Sequence, residues 1–256
     1  MISVTREART AIACLQRTER GNALSAELVE MLIDAVEACI ADPAIDTLVL
    51  TSDGADFCTG FDLSKLGPTT SDDATREIDG ALLWRFVRIE HLLATLWHAP
   101  LRTVAVVQGR AFGAGADLFA ACDVRLATAD AQWRFPGAGF GIVLGTRRLG
   151  ELVGADRAMA WVTTGAAIDT DGALANGLAT AVIEGGAWRS HLAPLSVDRP
   201  TFAALRAATR VDRRDADLAA LVRSATRAGL SQRIDHYRHS LRKNKPEPAL
   251  VPPKPR

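Results

Sequence analysis

TVAVVQGRAFGAGADLFAACDV, residues Thr103 to Val124, carries a strand, a glycine-rich turn and a helix that starts inside the glycines. Thr103 to Val107 is a β-branched run suited to a buried strand. Gly109, Gly113 and Gly115 permit tight backbone geometry and a close approach to something in front of them. Ala114 to Ala121 is rich in helix formers. A helix beginning there aims unpaired N–H groups and the positive end of its dipole outward, which suits a developing negative charge.

The flanking chain alternates strand and helix. Ile2 to Thr5 and Thr10 to Leu15 read as short strands around a charged turn. Arg20-Gly21-Asn22 is a loop, and Ser25 is the expected N-cap of an amphipathic helix ending at Asp42-Pro43. Thr47 to Thr51 is a buried strand, followed by a turn-rich loop ending in FCTGFDL. Gly67 to Asp73 is polar and expected to be mobile. A long helix is expected from about Thr75 to Trp97. Beyond the opening stretch come strands at Asp123 to Ala127 and Gln132 to Phe135 and a flexible turn over Gly137 to Gly141. Helices follow at Thr146 to Val153, Asp156 to Thr163 and Asp169 to Asn176, then a strand at Thr180 to Ile183. From Thr201 to about Leu241 the pattern is helical throughout. The order predicts an α/β fold with a helical C-terminal region. The expected division is a core over 1–195, a helical region over 196–242 and a disordered tail over 243–256.

Bulk properties narrow the function. Lys+Arg 30 against Asp+Glu 30 gives no support to nucleic-acid binding. The four cysteines form no C-x-x-C pair, so neither a zinc site nor a disulfide framework is expected. MISVTREART is too charged for a signal peptide, and no apolar run is long enough for a membrane span. A cytoplasmic protein with reduced thiols is the expectation.

Four segments, in order and spacing, resemble the enoyl-CoA hydratase/isomerase (crotonase) superfamily: Arg20-Gly21-Asn22-Ala23-Leu24, Asp56 to Leu63, the opening stretch, and Thr146-Arg147-Arg148-Leu149 with Val153-Gly154-Ala155. The resemblance implies a crotonase-like spiral of ββα units with a helical trimerisation region, a homotrimer or dimer of trimers, and acyl-CoA thioesters as substrates. It implies no cofactor apart from the coenzyme A of the substrate, and no metal. It further implies an oxyanion hole formed by the N–H groups of Phe61 and Ala114. The physical need is plain: proton abstraction beside a thioester drives charge onto the carbonyl oxygen, and a preformed donor there contributes about 3 kcal/mol. Ala23, Asp62, Leu63 and Gly113 are expected to border the substrate; Arg20 and Lys65 are the nearby cations nominated for the phosphates, and Trp133 is nominated for the acyl channel.

The acid/base set departs from the family. Asp117 stands where hydratases of the family usually carry a glutamate, and Gly137 replaces the second glutamate after Pro136. No other Asp or Glu occurs in Gln132 to Arg148. One carboxylate favours isomerisation or another enolate reaction over two-carboxylate hydration. The alternative is a non-catalytic acyl-CoA binder that kept the oxyanion hole. A CoA-independent hydrolase of cyclic diketones would need a histidine near the pocket, which no motif supplies. A dinucleotide site is excluded because Leu118 stands where the third glycine belongs. Cys58 has no histidine placed to activate it.

Overall fold

The computed structural model describes residues 1–64 and 72–243. The nominated Lys65, most of the Gly67 to Asp73 loop and the tail beyond 243 lie outside the described residues. In chain order the elements are β1 (Ile2–Glu7), β2 (Thr10–Leu15), α1 (Ala26–Ala41), β3 (Thr47–Ser52), α2 (Asp72–Trp97), β4 (Arg102–Val107), β5 (Arg110–Phe112) and α3 (Ala114–Ala121). They continue with β6 (Val124–Ala127), β7 (Gln132–Arg134), α4 (Thr146–Val153), α5 (Ala155–Thr164), β8 (Ile168–Asp169), α6 (Thr170–Ala175) and β9 (Ala181–Val182). The helical end is α7 (Arg199–Thr209), α8 (Arg214–Ala225) and α9 (Leu230–Lys243).

The main sheet has the order β1-β2-β3-β4-β6-β9. β1 and β2 form an antiparallel hairpin, and every later pairing in this sheet is parallel. The second sheet, β5-β7-β8, contains the short strand Arg110–Phe112, which the glycines on either side hide in the sequence. The inner strands of the main sheet, β2, β3, β4 and β6, are largely buried, with alternate residues facing opposite sides. Leu48, Leu50, Ala105 and Val107 enter the larger core under the helices. Val49, Val104 and Val106 pack on the other side with Leu126, Ile183 and Trp188.

Ser25 caps α1 by accepting from Leu28 N–H at 3.2 Å, as expected. The stretch Gly137 to Gly141, expected as a flexible turn, forms a single 3-10 helix, Pro136–Phe140, closed by Gly141 as its C-cap. Arg233 on α9 fastens it. Its guanidinium donates to the carbonyls of Phe140 and Gly141, and also to those of Ser224, Ala225 and Arg227 at the end of α8.

A buried ionic cluster joins α2, α4 and α8. Arg148 is 1% exposed and donates to both Glu90 carboxylate oxygens, at 3.0 and 2.5 Å, and lies 3.1 Å from Asp217. Arg147 donates to the Asp217 carboxylate at 2.7 and 2.6 Å. Arg148→Met strands Glu90 inside the protein. The expected cost is about 3–5 kcal/mol, read as a lowered urea midpoint, because an uncompensated buried charge loses far more than the pair gains.

Candidate active site

The loops quoted from the sequence converge. Asn22 is buried with a positive φ of 54°. Its amide donates to the carbonyls of Asp53 and Asp56, at 3.0 and 2.9 Å, and accepts from Arg17 N–H at 2.8 Å. That single side chain ties the loop after β2 to the loop after β3. Leu24 pairs with the second loop in a short parallel bridge: Leu24 N–H donates to Gly60 at 2.7 Å and Asp62 N–H donates to Leu24 at 3.1 Å. Phe61 sits between those two bonds, and its own N–H has no acceptor among the described residues.

The glycine-rich stretch supplies the facing wall. Gly113 has φ 54° and ψ −126°, which a side chain would oppose, and its N–H donates to Arg134 at 2.8 Å. α3 therefore starts with the Ala114 N–H free of an acceptor among the described residues. Gly60 packs so tightly on this turn that a Cβ there would lie 2.4 Å from the Phe112 carbonyl oxygen and 3.4 Å from the Ala114 nitrogen. Phe61 and Ala114, whose N–H groups have no acceptor among the described residues, both line one cavity of about 450 Å³, together with Leu63, Gly113 and Asp117.

Asp117, one turn into α3, is the single carboxylate among the described residues lining the cavity. Its carboxyl has no hydrogen-bond partner among the described residues. Burial pushes it up to about 7; Arg148 pulls it back down and Glu90 pushes it further up. Its seat is shaped by Gly145 at the start of α4, where a Cβ would stand 2.1 Å from one Asp117 carboxylate oxygen. Gly137 also lines the cavity and presents no side chain there.

The other walls are apolar. Phe61 stacks on Phe86 of α2 at 4.5 Å between centroids, and Phe140 and Tyr237 continue the row at 6.3 and 5.3 Å. Tyr237 arrives from α9 and Arg227 from the turn before it. Neither the aromatic row nor Gly145 stands out in the sequence, because the partners lie far apart along the chain.

Other nominated residues sit elsewhere. Arg20 is exposed on a short 3-10 helix, and Ala23 is buried beside it; neither lines the cavity. Asp62 is buried and engaged with protein: Arg17 lies 2.7 Å from one oxygen and Ser64 N–H donates to the other at 2.9 Å. Trp133 is fully buried and packs on Phe119 at 5.1 Å, outside the cavity, since β7 turns that face into the core between its neighbours. Cys58 is equally buried, and burial pushes its thiol up to about 12, which keeps it inert as a nucleophile. No group of His, Cys, Asp and Glu able to hold a metal ion occurs among the described residues. No helix of the described residues is long and apolar enough to cross a membrane.

The family model described as "Enoyl-CoA hydratase/isomerase" matches residues 6–191. The chain is 34% identical over 209 residues to the "probable enoyl-CoA hydratase echA6" of Mycobacterium leprae, covering 77% of this chain and 79% of that protein. It is 32% identical over 187 residues to the crotonyl-CoA hydratase of Syntrophomonas wolfei, covering 72% and 69%. A crystal structure from Bordetella parapertussis, named as an enoyl-CoA hydratase/isomerase family protein, superposes with a TM-score of 0.85 at 40% identity, covering 92% of this chain and 97% of that one.

Proposed function

Since the chain belongs to the enoyl-CoA hydratase/isomerase family, we propose that it binds acyl-CoA thioesters and moves a proton beside the thioester carbonyl, with Asp117 as its acid and base. The N–H groups of Phe61 and Ala114 receive the carbonyl oxygen. A 3-enoyl thioester placed there loses a proton from the carbon next to the carbonyl to the Asp117 carboxylate. The electron pair flows into the carbonyl as an enolate, whose charge the two donors stabilise. Return of the same proton to C4 leaves the double bond between C2 and C3. Nothing is gained or lost, so one carboxylate suffices.

The observation that carries this reading is the lone carboxylate at the cavity wall among the described residues, held near 7 so that both of its forms are present at neutral pH. Hydration of a 2-enoyl thioester asks more: water must be deprotonated while C2 is protonated, and the place of a second carboxylate holds Gly137. The apolar row suits an acyl chain in place of a polar one. A cytoplasmic homotrimer or dimer of trimers completes the proposal, and sedimentation checks the assembly.

Turnover of 3-enoyl and 2-enoyl thioesters decides the matter. Isomerisation is expected to exceed hydration by at least about tenfold in kcat/KM. Gly137→Glu is expected to raise hydration, because a Cβ at that position meets only the Ile142 carbonyl oxygen, at 3.3 Å. The missing second carboxylate also favours one other reading, a non-catalytic acyl-CoA binder. Tight binding of thioesters with no turnover of either type establishes that reading and sinks the enzyme.

A further inference from the structure

A phenylalanine at an oxyanion-donor position places a large ring where only a backbone N–H is required. The ring is not idle. Arg85 of α2 lies over one face of Phe61, with its guanidinium carbon 4.0 Å from the centroid. Phe86, the next residue of the same helix, stacks at 4.5 Å with an interplanar angle of 15°. The Arg85 guanidinium also donates to the Asp62 carbonyl at 3.1 Å and to the Leu24 carbonyl at 3.3 Å. Leu24 is the bridge partner of Phe61, bonded to the residues on either side of it: its N–H donates to Gly60, and Asp62 N–H donates to its carbonyl. Arg85 is half-buried and joins no carboxylate in an ion pair among the described residues, so its donors go to backbone carbonyls.

We propose that Arg85 and Phe86 are positioning residues: together they clamp the Phe61 ring and the adjacent carbonyls, and so hold the Phe61 N–H at the thioester oxygen. The inference rests on the oxyanion reading given above. The physical basis is directional. A donor stabilises an enolate only when fixed in advance, and a loop free to rotate its peptide plane spends that stabilisation on its own ordering. The bridge fixes Gly60 and Asp62, while the residue between them has no backbone bond of its own among the described residues. The ring clamp supplies the missing constraint from the side chain. A small residue at position 61 would offer α2 nothing to hold.

The test reads the donor directly. A thioester labelled with carbon-13 at the carbonyl is bound to the protein, and its stretching frequency is measured by difference infrared spectroscopy. The wild-type protein is expected to shift the band to lower frequency than in solution. Arg85→Met and Phe86→Ala are expected to return it at least halfway, and Arg85→Lys to restore most of the shift. In turnover, Arg85→Met is expected to lower kcat by about tenfold to a hundredfold with KM changed less than about twofold, as for a misplaced donor. Arg88→Met is the control on the same helix. Arg88 pairs with Glu30 at the surface and is expected to leave the band unmoved. A wild-type shift that survives both Arg85→Met and Phe86→Ala overturns the inference and leaves the oxyanion reading standing. A wild-type band at its solution frequency overturns both.

Discussion

Asp117→Asn is expected to lower kcat by about a hundredfold to ten-thousandfold while acyl-CoA affinity changes little. The amide has the same shape and fills the same seat against Gly145, so binding geometry survives and only the proton traffic stops. In the unsubstituted protein kcat/KM for a 3-enoyl thioester is expected to rise with pH through about 7, as the carboxylate form becomes available. The same substitution makes a second, independent prediction about stability. Burial raises the folded-state value of Asp117 from 3.8 to about 7. The native state therefore holds the proton over a range in which the unfolded chain has released it. The stability that Asp117 confers is full below about pH 4 and is lost as pH rises through about 7. Asparagine cannot ionise, so Asp117→Asn is expected to flatten that decline. It is also expected to make the variant more stable than wild type at pH 8, on the order of a few kcal/mol. Urea denaturation at pH 5 and pH 8 measures it. A variant that is less stable at both values contradicts the buried, unpaired carboxyl.

Gly145→Ala is expected to cost about a hundredfold in kcat without touching an ionisable group. The backbone there has φ −86° and ψ 5°, which alanine accepts. What alanine meets is the Asp117 carboxylate, at 2.1 Å from the new methyl carbon. The side chain must swing away from its seat, and a proton-transfer group displaced by an ångström loses its reach. In an Asp117→Ala background the same change is expected to cost nothing further in turnover. Additivity of the two losses, measured in a double-mutant cycle, would show that Gly145 matters for another reason.

The local elements were readable where one residue type dominates the physics. Ser25 as a cap, the strands expected at Thr47 to Thr51 and Thr103 to Val107 and found one residue longer each, and the start of α3 at Ala114 follow from side-chain and glycine chemistry within a few residues. The β5 strand, Arg110–Phe112, was hidden because its pairing is to β7, some twenty residues on, while its own sequence is framed by glycines. The candidate site divides the same way. Phe61, Ala114 and Asp117 belong to contiguous motifs, and the fold brings all three to one cavity. Trp133 was misplaced because an isolated tryptophan in a three-residue strand carries no signal for which face it takes. Arg17, Arg85 and Gly145 were invisible for a further reason. Each matters through a partner far along the chain: Asp62 for Arg17, Leu24 for Arg85, Asp117 for Gly145. Only the closed structure makes those pairs neighbours.

The five carbonyls gathered by Arg233 have a bearing on how the cavity wall holds its shape. They belong to two segments, the 3-10 helix that carries Gly137 and the end of α8. α9 brings the Arg that holds both and the Tyr237 that walls the cavity. A turn of different backbone path would leave some of the Arg233 donors without acceptors. Residues 136–142 and 224–237 are thus tied to one another by a single side chain, although more than eighty positions separate them in the sequence.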